Sequence, residues 1–206
     1  SDFVGVAGAA GLLDDGPVDV VAFSFGARVA MCAAANMDAD ATFIRRLCMT
    51  GTTADRGARG RLALRSWRAA LNAGDLEGFA WRLILDTYSE QTLVKSEAQV
   101  AQWVNFVTSA NSLEGIRAIV EQTHSEDPAD PTHPLAMAKA LRGSSAVQAG
   151  LLINGAEDML SARGAGKALA EAAGWGFAEI AEAGHACPLE QPVQWRRAVT
   201  DFLSSP

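Results

Sequence analysis

Cysteines, basic residues and long apolar runs are all scarce in this chain of 206 residues. The three cysteines, Cys32, Cys48 and Cys187, include no CxxC pair and no spacing with histidine that is typical of a zinc site. Cys32 and Cys48 lie in apolar stretches, so we interpret them as small core residues. The cysteines therefore give no indication of a zinc site or a redox pair.

Lysine and arginine number 17 against 24 aspartates and glutamates, which leaves a formal net charge of -7. An acidic surface of this size disfavours nucleic acid and anionic membranes as partners. No apolar run approaches the roughly 18 residues that a membrane span needs. The sequence shows no secretory signal, and a cytoplasmic location is favoured. With 49% hydrophobic and 20% charged residues, the composition is that of a globular domain.

Short apolar segments alternate with helical ones towards both ends of the chain. Between them, from Ala54 to Leu141, apolar residues recur every three or four positions, which predicts helices. The pattern indicates an α/β fold with a mostly parallel sheet: residues 1–53 and 142–206 form the core, and residues 54–141 form a helical lid. The predicted strands are Val18–Phe23, Arg46–Thr50, Gly150–Asn154 and Trp175–Ile180, and the predicted core helices are 26–35, 162–173 and 192–203.

A serine stands between the first predicted strand and helix, in Ala22-Phe23-Ser24-Phe25-Gly26. A sharp strand-to-helix turn needs small neighbours; Gly26 supplies one, and Ala22 stands where the G-x-S-x-G elbow has its first glycine. The N–H of Phe25, at the start of the helix, could stabilise a developing oxyanion. The alternative is that Ser24 only caps the helix.

An acid and a histidine follow two later strands. Asp158 comes shortly after the strand at 150–154, where α/β folds place their sites, although aspartate is also common in loops and Glu157 is an alternative acid. His185 follows the last strand and precedes the last helix. The order along the chain is serine, acid, histidine.

Together these segments resemble the α/β-hydrolase superfamily, and are most similar to its small-substrate carboxylesterases and enol-lactone hydrolases. The resemblance rests on the Ser-Phe-Gly elbow, the Leu-Leu-Ile-Asn-Gly-Ala-Glu-Asp segment and the Gly-His-x5-Gln-Pro tail. It implies Ser24 as nucleophile, His185 as its base and Asp158 as the acid that orients the imidazole. The implied reaction is hydrolysis of a small ester, lactone or thioester through an acyl-serine, without a metal or organic cofactor, and acyl transfer would use the same residues. Glu190 and Pro192 match the tail and are interpreted as structural.

The predicted lid carries several aromatic residues that suggest an apolar substrate pocket, although the same residues would also suit packing within the lid. Two histidines, His124 and His133, flank an Asp/Pro-rich break, and we expect both at the surface. The pocket candidates are Phe79, Trp81, Trp103 and Phe106.

The resemblance also implies that part of the fold is missing. The family places about four strands, a first helix and an oxyanion loop before the elbow, roughly 60 to 90 residues. Phe3 to Leu13 can supply at most one short helix, so we expect the N-terminal strands and one oxyanion donor to be absent and one sheet edge to be open. The sequence leaves three explanations open. Another polypeptide covers that edge, the chain is part of a longer protein, or the chain is a decayed relative that serves as a non-catalytic structural or interaction subunit.

Overall fold

The computed structural model describes residues 2–12, 14–37, 43–122, 127 and 129–205. None of the helices in these ranges has the length and apolar character that a membrane span requires. In chain order the elements are α1 (Asp2–Ala9), β1 (Val18–Phe23), α2 (Phe25–Ala35), β2 (Ile44–Thr50), α3 (Gly57–Asn72), α4 (Leu76–Thr87), α5 (Glu90–Lys95), α6 (Glu97–Ala110), α7 (Leu113–Gln122), α8 (Pro134–Leu141), β3 (Val147–Gly155), α9 (Ala165–Ala173), β4 (Gly176–Ile180), α10 (Cys187–Glu190) and α11 (Pro192–Leu203).

The four strands form one parallel sheet in the order β1-β2-β3-β4. The α/β fold with a parallel sheet is therefore confirmed. β1 has the predicted bounds, whereas β2 and β3 begin earlier than predicted, at Ile44 and Val147. Because the carboxyl ends of parallel strands meet at one edge, the loops after β1, β2, β3 and β4 come together there.

Apolar side chains pack on both faces of the sheet. Alternate residues of β2 belong to opposite clusters: Leu47 and Met49 pack with Met31 of α2, whereas Cys48 packs with Val199 of α11. This alternation is the two-residue period of a strand. Cover on both faces of β2 explains why its residues from Leu47 to Met49 are continuously apolar.

Helices α3 to α7 form a helical insert between β2 and the later strands. They pack on one another around two apolar clusters, one containing Leu71 and the other Val104. α8, which we expected in the lid, instead packs on α2 and α9, with Met137 in the core cluster. Its buried side completes the core, so the insert ends before Pro134.

β1 is the end strand of the sheet, and within the described ranges it pairs only with β2. Val21 and Phe23 on this strand are 44% and 42% exposed. The short N-terminal helix is present as α1, which contacts α2 and places the ring of Phe3 edge-on to that of Phe43 at 5.9 Å. Leu13, the last residue of the segment predicted to form this helix, lies outside the described residues.

Candidate active site

Ser24 occupies a strained turn between β1 and α2. Its φ of 50° and ψ of -116° lie outside the regions that non-glycine residues favour, a conformation that costs about 1–3 kcal/mol. Backbone bonds hold the turn: the Ser24 N–H donates to the Thr50 carbonyl at 2.8 Å, and the Ser24 carbonyl accepts from the N–H of Ala27 at 3.1 Å. The Ser24 side chain makes no cap hydrogen bond to the helix, so the capping alternative does not describe it.

The expected need for a small residue at position 26 is not seen in the structure. A Cβ placed on Gly26 would meet nothing within 4 Å, because this residue is exposed on the first turn of α2. The strain of the turn is therefore concentrated at Ser24 itself.

The structure brings Ser24, Asp158 and His185 into one hydrogen-bonded series. The Nε2 atom of His185 lies 2.8 Å from the Ser24 Oγ, and its Nδ1 atom lies 3.0 Å from the Asp158 Oδ2. These side chains come from the loops after β1, β3 and β4. Glu157, the alternative acid, is exposed. Such an arrangement allows a proton to pass from the hydroxyl to the imidazole while the carboxylate stabilises the imidazolium.

The Asp158 carboxylate is buried and fully engaged. Its Oδ1 accepts the N–H of Leu160 at 2.9 Å, and its Oδ2 also accepts the Ser161 hydroxyl at 3.2 Å. Burial acts to raise the pKa of Asp158, but the charge and hydrogen bond of His185, with these two donors, outweigh it and lower the pKa below its ordinary value. The group is therefore ionised and aimed at His185 at neutral pH.

Two residues beside the His185 ring limit its movement. The Phe23 ring lies 5.4 Å from it, centroid to centroid. Gly51, at the end of β2, has a φ of +71°, and a Cβ there would lie 2.9 Å from the His185 Cε1. A glycine is needed at position 51 both for this left-handed backbone and for the close approach of the ring. No local signal in the sequence marks Gly51, because its importance depends on His185, which lies far away in the chain.

A cavity of about 970 Å³ opens onto Ser24 and His185 and extends beneath the helical insert. Of the four aromatic candidates, Phe79, Trp103 and Phe106 line it and Trp81 does not. Trp81 follows Phe79 by two residues on α4, about 200° around the helix, and is 38% exposed. Apolar and aromatic lining residues that sequence analysis did not single out include Leu64, Trp67, Leu83, Ile84, Tyr88, Ile116, Ile119, Val120, Leu160 and Leu189.

Charged side chains also reach the cavity, and cations outnumber anions among them. Arg28, Arg56, Arg61 and Lys95 line it together with Asp55 and Glu190. This local excess of positive charge contrasts with the net charge of -7 of the whole chain. One of these cations, Arg61, pairs with Asp55 at 3.1 Å.

His133 lies at the cavity and is not the surface residue we expected. It is 7% exposed, and its Nδ1 accepts the N–H of Leu135 at 3.2 Å, which caps α8. Burial, followed by the positive charge of Arg28, lowers its pKa. The signal available in the sequence was Pro134, which often follows an N-cap residue. His124 lies outside the described residues.

The N–H of Phe25, the predicted oxyanion donor, is at the first position of α2. First-turn N–H groups have no acceptor within their own helix, and they carry the positive end of the helix dipole. The ranges that the structure describes contain no cluster of three His, Cys, Asp or Glu side chains suited to hold a metal ion.

The profile of the alpha/beta hydrolase family matches residues 1–198. The chain belongs to this family. An enol-lactonase from Burkholderia xenovorans superposes with a TM-score of 0.75 at 19% sequence identity, covering 99% of this chain and 71% of that one. A thermophilic esterase from Thermogutta terrifontis gives 0.74 at 22% identity, with 98% and 69% covered. A hydrolase from Pseudomonas aeruginosa gives 0.77 at 20% identity, with 99% and 70% covered.

At such identities these likenesses establish the fold, and the family match over residues 1–198 confirms the resemblance to α/β hydrolases predicted from the sequence. A further alpha/beta hydrolase, from a deep-sea metagenome, is covered over 66% of its length, so the chain spans about two thirds of some relatives. Comparison with curated protein sequences gave no significant match.

Proposed function

We propose that this protein is a serine hydrolase that cleaves a small ester, lactone or thioester through an acyl-serine intermediate. The observation that carries the proposal is the hydrogen-bonded series from Ser24 through His185 to Asp158, which opens onto a large, mainly apolar cavity. In this role the three residues form a catalytic triad, and the helical insert forms a lid over the cavity.

In the first half of the reaction the Ser24 Oγ attacks the carbonyl carbon of the substrate. The hydroxyl proton moves to the His185 Nε2 across the 2.8 Å hydrogen bond. Asp158 accepts the Nδ1–H of the imidazole and stabilises the positive charge that forms there. His185 then donates the proton to the leaving alkoxide or thiolate as its bond to the carbonyl carbon breaks, which leaves the acyl group on Ser24.

In the second half, a water molecule takes the place of the leaving group. His185 removes a proton from the water, whose oxygen attacks the acyl carbon, and the proton returns to the Ser24 Oγ as the acid departs. An alcohol or amine that replaces this water would make the same residues catalyse acyl transfer.

The Phe25 N–H is the proposed donor to the oxyanion of each tetrahedral intermediate. Removing a single oxyanion donor typically costs about 10²–10³ in rate. Phe25 acts through its backbone, so its contribution depends on the strained turn at Ser24 and not on the phenyl ring.

The test is intact-mass analysis after treatment with a fluorophosphonate, which phosphonylates an activated serine. We expect one adduct on the parent protein and none on the Ser24→Ala variant. Circular dichroism of both proteins serves as the folding control. A folded parent that gives no adduct would contradict the proposal that this chain is active by itself. A panel of short-chain esters, lactones and thioesters would then rank the substrate classes.

A second candidate is a non-catalytic subunit that binds another polypeptide along the edge of β1. Its support is that β1 is the end strand of the sheet in the described part of the chain and that Val21 on this strand is 44% exposed. This candidate predicts a stable assembly that buries more than about 1,000 Å² and shows no fluorophosphonate adduct. Mass photometry combined with the labelling experiment distinguishes the two functions.

A further inference from the structure

The loop that carries His185 is joined to the helical insert by a seam of backbone contacts. The Ala186 N–H donates to the Thr87 carbonyl at 3.0 Å. A Cβ placed on Gly184 would lie 2.7 Å from that same carbonyl oxygen and 2.8 Å from the Ser89 nitrogen. The backbone on either side of His185 therefore lies directly against the junction between α4 and α5, without room for an intervening side chain.

One carboxylate bridges this seam. The Oε1 of Glu190 accepts the N–H of Gly184 at 2.8 Å, and its Oε2 accepts the N–H of Ser89 at 2.8 Å. Gly184 immediately precedes His185, and Ser89 caps α5 and is 1% exposed. A single side chain thus satisfies two backbone donors, one in the histidine loop and one in the insert.

Neither donor has an easy substitute for this carboxylate. Buried N–H groups that lose their acceptor are costly to keep in place, so the loop would shift to find another partner. A charged acceptor also makes stronger hydrogen bonds than a neutral one. Tyr88 is the residue before Ser89 in the α4–α5 junction. Burial raises the pKa of its phenol, and the nearby negative charge of Glu190 raises it further.

We propose that Glu190 is a positioning residue, which holds His185 in hydrogen-bond reach of Ser24 and ties that position to the helical insert. The inference rests on the proposed function, in which His185 is the general base. It goes beyond a purely structural role, because the bridge makes the triad geometry depend on where the α4–α5 junction lies. A substrate that contacts Thr87 or Tyr88 in the cavity wall would then influence His185 through this seam.

The test compares Glu190→Gln with Glu179→Gln, which removes the same charge from an exposed side chain on β4. The glutamine amide retains one acceptor oxygen but turns an NH₂ group towards the other backbone donor. We expect Glu190→Gln to slow phosphonylation of Ser24 and kcat by about tenfold or more, since small displacements of reacting groups have effects of this size. Glu179→Gln should leave both rates unchanged.

A proton NMR measurement keeps this test separate from the proposed function. The Nδ1–H of His185, bonded to Asp158, is expected to give a strongly downfield resonance that disappears in His185→Ala. In Glu190→Gln this resonance should shift or broaden, which a side chain that only stabilises the fold would not cause in a folded sample. If the parent protein shows no fluorophosphonate adduct, the proposed function fails while the resonance still tests the positioning role.

A second pair of variants covers the case in which Glu190→Gln does not fold. Ser89 has a φ of -65° and follows a residue with a ψ of 148°, a backbone that proline can adopt. Ser89→Pro removes the N–H that Glu190 accepts, whereas Ser89→Ala retains it, and both lose the hydroxyl cap of α5. We expect the proline variant to be slower than the alanine variant. Equal rates for this pair, or an unchanged resonance and rate in folded Glu190→Gln, would overturn the inference.

Discussion

The core and the helical insert contribute to the candidate site in different ways. The core supplies Ser24, Asp158 and His185 from loops at one edge of the sheet, and their positions follow from backbone hydrogen bonds. The insert supplies cavity walls, such as Phe79 and Trp103, from side chains on helix faces. The reactive groups thus depend on a few atoms held within hydrogen-bond distance of one another. The shape and lining of the cavity depend instead on which helix faces pack inward.

A substitution at the acid of the core should change the chemistry and leave the packing of both regions intact. Asp158→Asn should lower kcat by about 10³–10⁴, because an amide at this position favours the wrong tautomer of His185. Ester hydrolysis and fluorophosphonate labelling measure the loss, and circular dichroism checks the fold. Glu157→Gln, at the exposed neighbouring carboxylate, should keep the parent rate; the reverse result would show that Glu157 is the acid.

Two matched core substitutions test whether the regions unfold together. Leu152 in β3 is 0% exposed and Leu71 in α3 is 1% exposed. Replacing either side chain with alanine leaves a cavity in the packing around it. Each substitution should cost about 2–5 kcal/mol in the free energy of unfolding. We expect one shared transition, because Leu160 from the β3–α9 loop packs in the same cluster as Leu71.

Urea unfolding followed by both tryptophan fluorescence and far-UV circular dichroism measures that transition. If Leu71→Ala lowers only the first of two separate transitions, the insert is an independent unit and the shared-transition prediction is wrong.

A pair of glycines distinguishes local strain from contact with the site. Gly51 and Gly74 have φ values of +71° and +76°, but only a Cβ at Gly51 would meet the His185 ring. Alanine at either position should cost about 1–2 kcal/mol in stability from the left-handed backbone. Only Gly51→Ala should also slow phosphonylation of Ser24, by about tenfold. Equal labelling rates in the two variants would show that the ring tolerates the added methyl group.

The three thiols, which all lie outside the insert, report how readily the core opens. Burial raises the pKa of Cys48 and of Cys187 to about 12, whereas Cys32 is only partly buried. At pH 8 we expect a thiol reagent to modify Cys32 first and the other two only as the core opens. Thiols in the unfolded chain ionise near pH 8.5, whereas Cys48 and Cys187 in the folded protein ionise only near pH 12. The free energy of unfolding should therefore fall as the pH rises through this range. Fast labelling of all three would show that the core opens readily; mass spectrometry identifies each site.

Much of the architecture could be predicted because it depends on local pattern. Short apolar runs indicated the four strands, three-to-four-residue spacing indicated the insert helices, and the elbow and tail segments singled out Ser24 and His185. Local spacing could not assign α8 to the core, because the sequence shows that a helix has an apolar face but not which element packs against it. Aromatic character predicted Trp81 in the pocket, and the nearby Asp/Pro-rich break predicted His133 at the surface, but neither signal indicates what surrounds a side chain in the folded protein.

Local sequence patterns were sufficient to predict the alternation of strands and helices, the serine, acid and histidine segments, and the family. Only the tertiary structure decided that the Ser24 hydroxyl faces the imidazole, that Gly51 makes room for the ring and that Glu190 bridges Gly184 and Ser89. The physical reason is that periodicity and residue type act over a few neighbouring residues. Hydrogen bonds and close contacts between distant segments exist only once the sheet has brought their loops to a common edge.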